Sequence, residues 1–179
     1  TNTGFNSDAG RLENINKNTF INGLHSGIYW TFQCSQIIGK EMLKSEKGII
    51  INIASLYSYL VPNSKMYKGT TIFNPVTYSV SKHGIMGLTK YLASFWGPYG
   101  IRVNALSPGT FPNTNKDDNK KSPNSVSNNK FINLLKNKCA LKRVGKPADL
   151  NAALLFLCSE KSKLMHGENI VIDGGWSLL

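Results

Sequence analysis

Two short apolar runs, GIIINIAS at 48–55 and IRVNALSP at 101–108, constrain this chain more than any other feature. Both are nearly continuous rather than alternating, so both faces of each are expected to be buried, as in a parallel sheet covered by helices. NIVIDGG at 169–175 reads as a further strand. Parallel neighbours need a crossover, usually a helix, and the chain supplies one. Over 77–96, Ser81, Ile85, Leu88, Leu92 and Phe95 recur at three- and four-residue steps, and Pro98 and Gly100 stop the pattern. A second helix is expected from about 27 to 43, ending in KSEKG. A third is expected from Pro147, the favoured first-turn position, with Leu150, Leu154 and Leu157 on one stripe. The alternation predicts an α/β layered fold with right-handed crossovers.

A chain of 179 residues suffices for one domain with a sizeable core. Its 41% hydrophobic and 17% charged residues exclude wholesale disorder. Residues 112–130, PNTNKDDNKKSPNSVSNNK, are almost free of apolar side chains. They are expected to form an exposed substrate-side loop after the second strand, where open α/β sheets bind ligands. No run approaches the roughly eighteen apolar residues of a membrane span, and the first twenty residues contain no secretory core. The chain begins at Thr1 without methionine, which leaves its start open as a cleavage point or a truncation.

A formal charge of +11 raises the question of a nucleic-acid partner. The lysines are scattered, however, without zinc-finger spacing or interleaved aromatics, and 20 asparagines accompany them. A solvated surface is expected, with neither nucleic acid nor membrane as partner. Cys34, Cys139 and Cys158 form neither a paired framework nor a CxxC metal site. A reducing, cytoplasmic setting and no metal follow as expectations. Cys158, after an apolar FL, is expected to be a buried thiol.

The chemistry centres on Tyr78 and Lys82, four residues apart in YSVSK and therefore on one helical face. Ser55 lies just beyond the first apolar strand. A hydroxyl, a phenol and an ammonium thus meet at one sheet edge. An ammonium favours its neighbour's phenolate by stabilising the charged form, so Tyr78 is a candidate proton carrier, a role worth roughly 10²–10⁴-fold in rate. Ser55 would hold the substrate oxygen. His83, beside Lys82, reads as a surface or packing histidine.

The strings IIINIAS, YSVSKHGIMGLTKYLA, YGIRVNALSPG, LKRVGKPADL and ENIVIDGG resemble, in order and spacing, the body of a classical short-chain dehydrogenase/reductase. The resemblance covers almost the whole chain from about residue 20 and implies a partial Rossmann-like doubly wound parallel sheet with flanking helices. It implies an oxidoreductase using NAD or NADP, cytoplasmic and homo-oligomeric, that interconverts a hydroxyl and a carbonyl. Ser55, Tyr78 and Lys82 match the family's catalytic serine, tyrosine and lysine. Tyr78, Lys82, Pro108, Gly109 and Thr110 match its cofactor side. Asn52 and Asn104 match structural strand asparagines, and the terminal DGG is expected near the site edge.

Three departures qualify the match. Tyr78 follows Ser55 by 23 residues, longer than the family's usual spacing. The inserted text around NSKMYKGTTIFNPV resembles a subgroup near flagellin and surface-polysaccharide modification, which implies a sugar-like or polyhydroxylated substrate. Ser55, Tyr57, Tyr67 and Asn74, with Thr70 and Thr71 nearby, are its expected contacts. The family's catalytic asparagine position falls on Leu24, which leaves Asn22, two residues earlier, as the candidate. No glycine-rich phosphate loop occurs; Gly23 and Gly27 follow no strand. The chain is therefore expected to be the carboxyl-terminal portion of one domain, 1–179, with its amino-terminal dinucleotide-binding part missing. A nonenzymatic assembly protein that kept the fold is the alternative.

Overall fold

The computed structural model describes residues 12–67, 74–112 and 129–179. Three strands, β1 (Gly48–Ile53), β2 (Ile101–Pro108) and β3 (Asn169–Ile172), form a parallel sheet in the order β1-β2-β3. Gly48 pairs with Ile101 and Ile53 with Leu106, while Ala105 pairs with Asn169 and Pro108 with Ile172. All three carboxyl ends therefore lie on one edge. The helices are α1 (Lys17–Leu24), α2 (Trp30–Ser45), α3 (Val76–Trp96), α4 (Asn129–Lys138) and α5 (Asn151–Cys158). This is the expected α/β architecture, a Rossmann-like parallel sheet with flanking helices.

The strand β2 is its axis. Ile101, Val103 and Ala105 are fully buried. Ile101 and Val103 pack with Leu92 and Ala93 of α3, and Met42 and Leu43 of α2 lie against the same cluster. Ala105 meets Ile85 and Ala54. The intervening side chains are polar and satisfied. Arg102 donates to the carbonyls of Leu157 (2.9 Å) and Ser159 (3.2 Å). Asn104 donates to Met165 (2.9 Å) and accepts from the Glu168 amide (3.0 Å). Asn52 donates to Thr89 (2.9 Å). Both strand asparagines have the structural work expected of them.

Helix α3 positions the chemistry. Pro75 precedes it in extended conformation, and its carbonyl accepts the Tyr78 amide at 3.0 Å. The helix gives way to a 3-10 turn, Gly97–Tyr99, closed by Gly100 at φ 73°. A side chain there would meet the Glu46 carbonyl, so this turn requires glycine twice over.

Several expectations are corrected. The helix expected at about 27 starts ten residues earlier. Asn16 caps α1 by accepting the Thr19 amide at 2.9 Å, and a π-type turn over His25–Tyr29 joins α1 to α2 without a break. Gly23 and Gly27 lie against Thr77 and Ser81 of α3, close enough that a Cβ on either would collide. These glycines serve helix packing. Phe95, expected on the buried face, is 57% exposed and stacks on Tyr91 at 4.3 Å. Thr89 and Ala93 take the interior positions instead, because the packed face drifts around a helix this long. The strand β1 is not buried on both faces: Asn52 is buried but its isoleucines are half-buried, since β1 is the edge of the described sheet. In α5 Leu157 is buried but Leu154 is exposed, and Cys158 at its end is exposed rather than buried. Helix α4 was not anticipated; it buries Phe131 and Leu135, with Cys139 one turn further on. Residues 113–128 of the expected substrate-side loop, and Thr70 and Thr71, lie outside the described residues.

The glycine packing yields a paired test. Gly27→Ala places a methyl into Ser81 and is expected to destabilise by about 1–3 kcal/mol in urea unfolding. Gly87→Ala, on the open face of α3 with nothing near its Cβ, is expected to stabilise by about 0.5–1 kcal/mol.

Candidate active site

Beyond β1, the Ala54 amide still reaches the Leu106 carbonyl at 2.8 Å, and Ser55 then caps a 3-10 turn over Leu56–Ser58. The Ser55 hydroxyl accepts the Tyr57 amide at 3.2 Å and is hydrogen-bonded to the Tyr78 phenol. One turn along α3, Lys82 is 2% exposed and donates to the Ile53 carbonyl at 3.0 Å. Its ammonium lies 5.5 Å from the Tyr78 ring centroid. The structure thus brings together three of the four sequence-derived catalytic candidates.

Electrostatics modifies what was expected of them. Burial pushes the Tyr78 phenol up, the nearby Tyr57 adds to this, and the Ser55 hydrogen bond opposes it. The same burial lowers the Lys82 ammonium to about 8. The lowering expected from Lys82 is not among the causes of the shift: desolvation dominates, and only the Ser55 hydrogen bond opposes it. Tyr78 is a proton donor in this state.

Asn22 is exposed on α1, one position away from the glycine face that contacts α3, and its carbonyl accepts the Ser26 hydroxyl at 3.1 Å. Tyr57 is buried, edge-on to Tyr78 with centroids 6.3 Å apart. The Tyr57 and Tyr67 hydroxyls share a hydrogen bond at 3.1 Å. Asn74 accepts the Ser79 hydroxyl at 3.3 Å, beside the start of α3. The exposed His83 ring lies 3.0 Å from the Ser79 carbonyl, matching its surface assignment.

Pro108 ends β2. The Gly109 amide donates to Ile172 at 2.9 Å, and a Cβ there would strike the Asp173 backbone. The Thr110 hydroxyl pairs with the Cys139 thiol at 3.4 Å, and its carbonyl accepts the Gly145 amide at 2.9 Å. Thr110, Cys139, Arg143 and Asp173 help line a cavity of about 70 Å³.

Sequence reasoning missed the turn that follows Ser55. The Ser58 hydroxyl pairs with Ser107 (2.9 Å), which donates to Asn169 (2.7 Å), so the turn is tied to β2 and β3. Tyr59 donates to Asp173 at 3.1 Å. Burial pushes the Asp173 carboxyl up, but hydrogen bonds from Ser177, Gly175 and Tyr59 outweigh it and hold the group below its ordinary range. This places the terminal DGG beside the site edge, as expected. The signal was the hydroxyl-rich string SLYSYL. A ribose-bearing cofactor fits the trio: among the described residues the hydrogen bond of Lys82 engages one of three ammonium donors.

A family model described as enoyl-(acyl carrier protein) reductase matches residues 1–177. A 2-dehydro-3-deoxy-D-gluconate 5-dehydrogenase from Bacillus subtilis is 33% identical over 153 residues, covering 81% of this chain and 51% of its own length. A short chain dehydrogenase from Leptospira borgpetersenii with bound NAD+ matches at TM-score 0.79 and 33% identity, over 97% of this chain and 62% of that one. A putative NAD(P) dependent gluconate 5-dehydrogenase from Beutenbergia cavernae with bound NADP matches at TM-score 0.78 and 26% identity, over 96% and 62%. The chain spans about half the length of the curated relatives it matches.

Two expectations are corrected by these matches. The dinucleotide-binding fold is not missing: the family model runs from residue 1, and the β1-β2-β3 sheet with its helices matches a dehydrogenase that holds NAD+. Parallel strands with covering helices are the body of that fold, and three such strands with their helices are present among the described residues. Nor does the flagellin subgroup stand out. A post-translational flagellin modification protein from Campylobacter coli, 33% identical over 144 residues (80% of this chain, 52% of its own), is one relative among several sugar-acid and polyol dehydrogenases.

The depressed Lys82 sets a pH-dependent stability. Unfolded, its pKa is 10.5; folded, about 8. Between these values the unfolded chain binds more protons, so stability rises with pH across the window. Below about pH 8 the buried charge carries its full penalty. Lys82→Met removes that penalty, so its stability relative to wild type should be more favourable at pH 7 than at pH 10, by about 2 kcal/mol. Urea unfolding at the two pH values measures this; a difference independent of pH would refute the burial-driven shift.

Proposed function

This chain belongs to the short-chain dehydrogenase/reductase family, and on that premise we propose that the protein is an NAD(P)-dependent oxidoreductase. It interconverts a hydroxyl and a carbonyl on a sugar-like or polyhydroxylated substrate. The observation that carries this is the trio of buried Ser55, half-buried Tyr78 and buried Lys82: Ser55 hydrogen-bonded to Tyr78, and Lys82 anchored to the strand end beneath them. Relatives named for sugar-acid, galactitol, threitol and glycerol oxidation support the substrate class, and the NAD+ and NADP named with two matching structures support the cofactor.

Within the proposal, Ser55, Tyr78 and Lys82 are catalytic. A substrate oxygen takes over the hydrogen bond that Ser55 and Tyr78 now make to each other. The raised pKa of Tyr78 keeps its proton available for delivery to the oxygen of a carbonyl; in oxidation the phenolate takes the proton back. Lys82 holds its charge beside that phenol, and its remaining donors would reach the cofactor ribose. Pro108, Gly109 and Thr110, at the carboxyl end of β2, would flank the nicotinamide. A bound nicotinamide dinucleotide supplies the hydride acceptor or donor. Asn22, exposed on α1, is assigned an outer part in proton supply rather than contact with substrate.

The proposed setting is the cytoplasm, as a homo-oligomer acting on a small molecule, without nucleic-acid or membrane partners. The three free cysteines suit a reducing compartment, and no helix among the described residues is long and apolar enough to cross a membrane.

Product analysis with NAD+ and NADP+ on sugar acids, polyols, free sugars and short apolar alcohols tests the assignment. Oxidation of the polyhydroxylated compounds is expected. Preference for small apolar alcohols would overturn the substrate class, and no oxidation or reduction of any alcohol or ketone would overturn the reaction.

A further inference from the structure

We propose that Tyr57 and Tyr67, joined through their hydroxyls, are positioning residues that hold Tyr78 in register with Ser55. The inference rests on the functional assignment above and goes beyond it by giving these two side chains work on the protein's own machinery rather than on substrate. Tyr57 touches both partners of the site. Its amide donates to the Ser55 hydroxyl at 3.2 Å, and its ring stands nearly perpendicular to that of Tyr78, at 84° and 6.3 Å between centroids. This is the edge-to-face geometry that aromatic pairs prefer.

A buried tyrosine needs a partner for its hydroxyl. Tyr67 provides one at 3.1 Å and lies tilted against Phe131 of α4, 6.4 Å between centroids. Tyr67 ends the short turn Ser64–Tyr67, within the long segment separating Ser55 from Tyr78. Fixing the far tip of Tyr57 fixes both its side-chain torsions, and so fixes where its edge presses on Tyr78. The inserted segment is thereby tied to the position of the proton carrier. Tyr57 also raises the Tyr78 phenol, as a close neighbour should.

The test is a cycle of Tyr57→Phe, Tyr67→Phe and the double variant in the enzyme, with polyol and cofactor saturation. Each phenylalanine deletes the shared hydrogen bond and keeps the ring. Each single variant is expected to lower kcat about fivefold at unchanged KM, the loss for one neutral hydrogen bond. The double variant should be no slower than either single, because both remove the same bond. Tyr57→Leu, which also removes the edge contact, should lose more kcat than Tyr57→Phe while melting cooperatively.

A raised KM at unchanged kcat would overturn the proposal in favour of direct substrate contacts. Additive losses, or an unmoved kcat, would overturn it in favour of independent or purely packing roles. These outcomes presuppose turnover by wild type and so refute positioning alone. Wild type inactive on every alcohol and ketone refutes the functional assignment, and the inference with it.

Discussion

The hydrogen bond from the Lys82 ammonium to the Ile53 carbonyl is the interaction on which the site depends. A lysine at 2% exposure is costly to bury, and here it joins the end of β1 to the first turns of α3. That single tie sets the depth of α3 against the sheet edge and so decides where Tyr78, one turn earlier, meets Ser55. The glycine approach of α1 and the following turn to Thr77 and Ser81 holds the same part of α3 along the neighbouring face. A charged group retained in such a place, against its own solvation, is characteristic of functional sites rather than of packing.

Around this tie the molecule has two kinds of interior. Beneath the site, β2 is packed against α2 and α3 by aliphatic side chains. Above the strand ends, the second cluster is aromatic and composite. Leu56, Tyr57, Met66, Phe131, Leu135 and Trp176 come from the turn after Ser55, the long insertion, α4 and the terminal segment. Four stretches of chain converge there. Hydroxyl chains reinforce the convergence: Ser58 to Ser107 to Asn169, and Tyr59 to Asp173.

This division explains what was legible in the sequence. The strands of a buried parallel sheet announce themselves as apolar runs, so β2 was found with its observed bounds, and the i, i+4 spacing of Tyr78 and Lys82 placed both on one face of α3. Local pattern says nothing of which neighbours arrive. Phe95 has the right period yet faces outward, and Cys158 sits in apolar text yet is exposed, because burial is decided by partners far along the chain. Helix α4 was hidden by the polar stretch before it, although Phe131, Leu135 and Cys139 carry a clean four-residue repeat. Asn22 was the candidate because it lies two residues before Leu24, on which the family's asparagine position falls. The true start, capped by Asn16 and passing through the π-type turn, leaves Asn22 exposed. The direction of the Tyr78 shift was likewise beyond the sequence, since a motif names the charged neighbour and omits the desolvation that opposes it.

The central claim is that Tyr78, held between Ser55 and Lys82, moves the proton when hydride is transferred. Single-turnover hydride transfer by wild type and Tyr78→Phe, followed across pH at matched substrate and cofactor occupancy, tests it most directly. The account predicts that the phenylalanine variant binds cofactor normally, loses at least about a hundredfold in the transfer rate, and loses the pH dependence of that step. Equal transfer rates for the two proteins at every pH would contradict it.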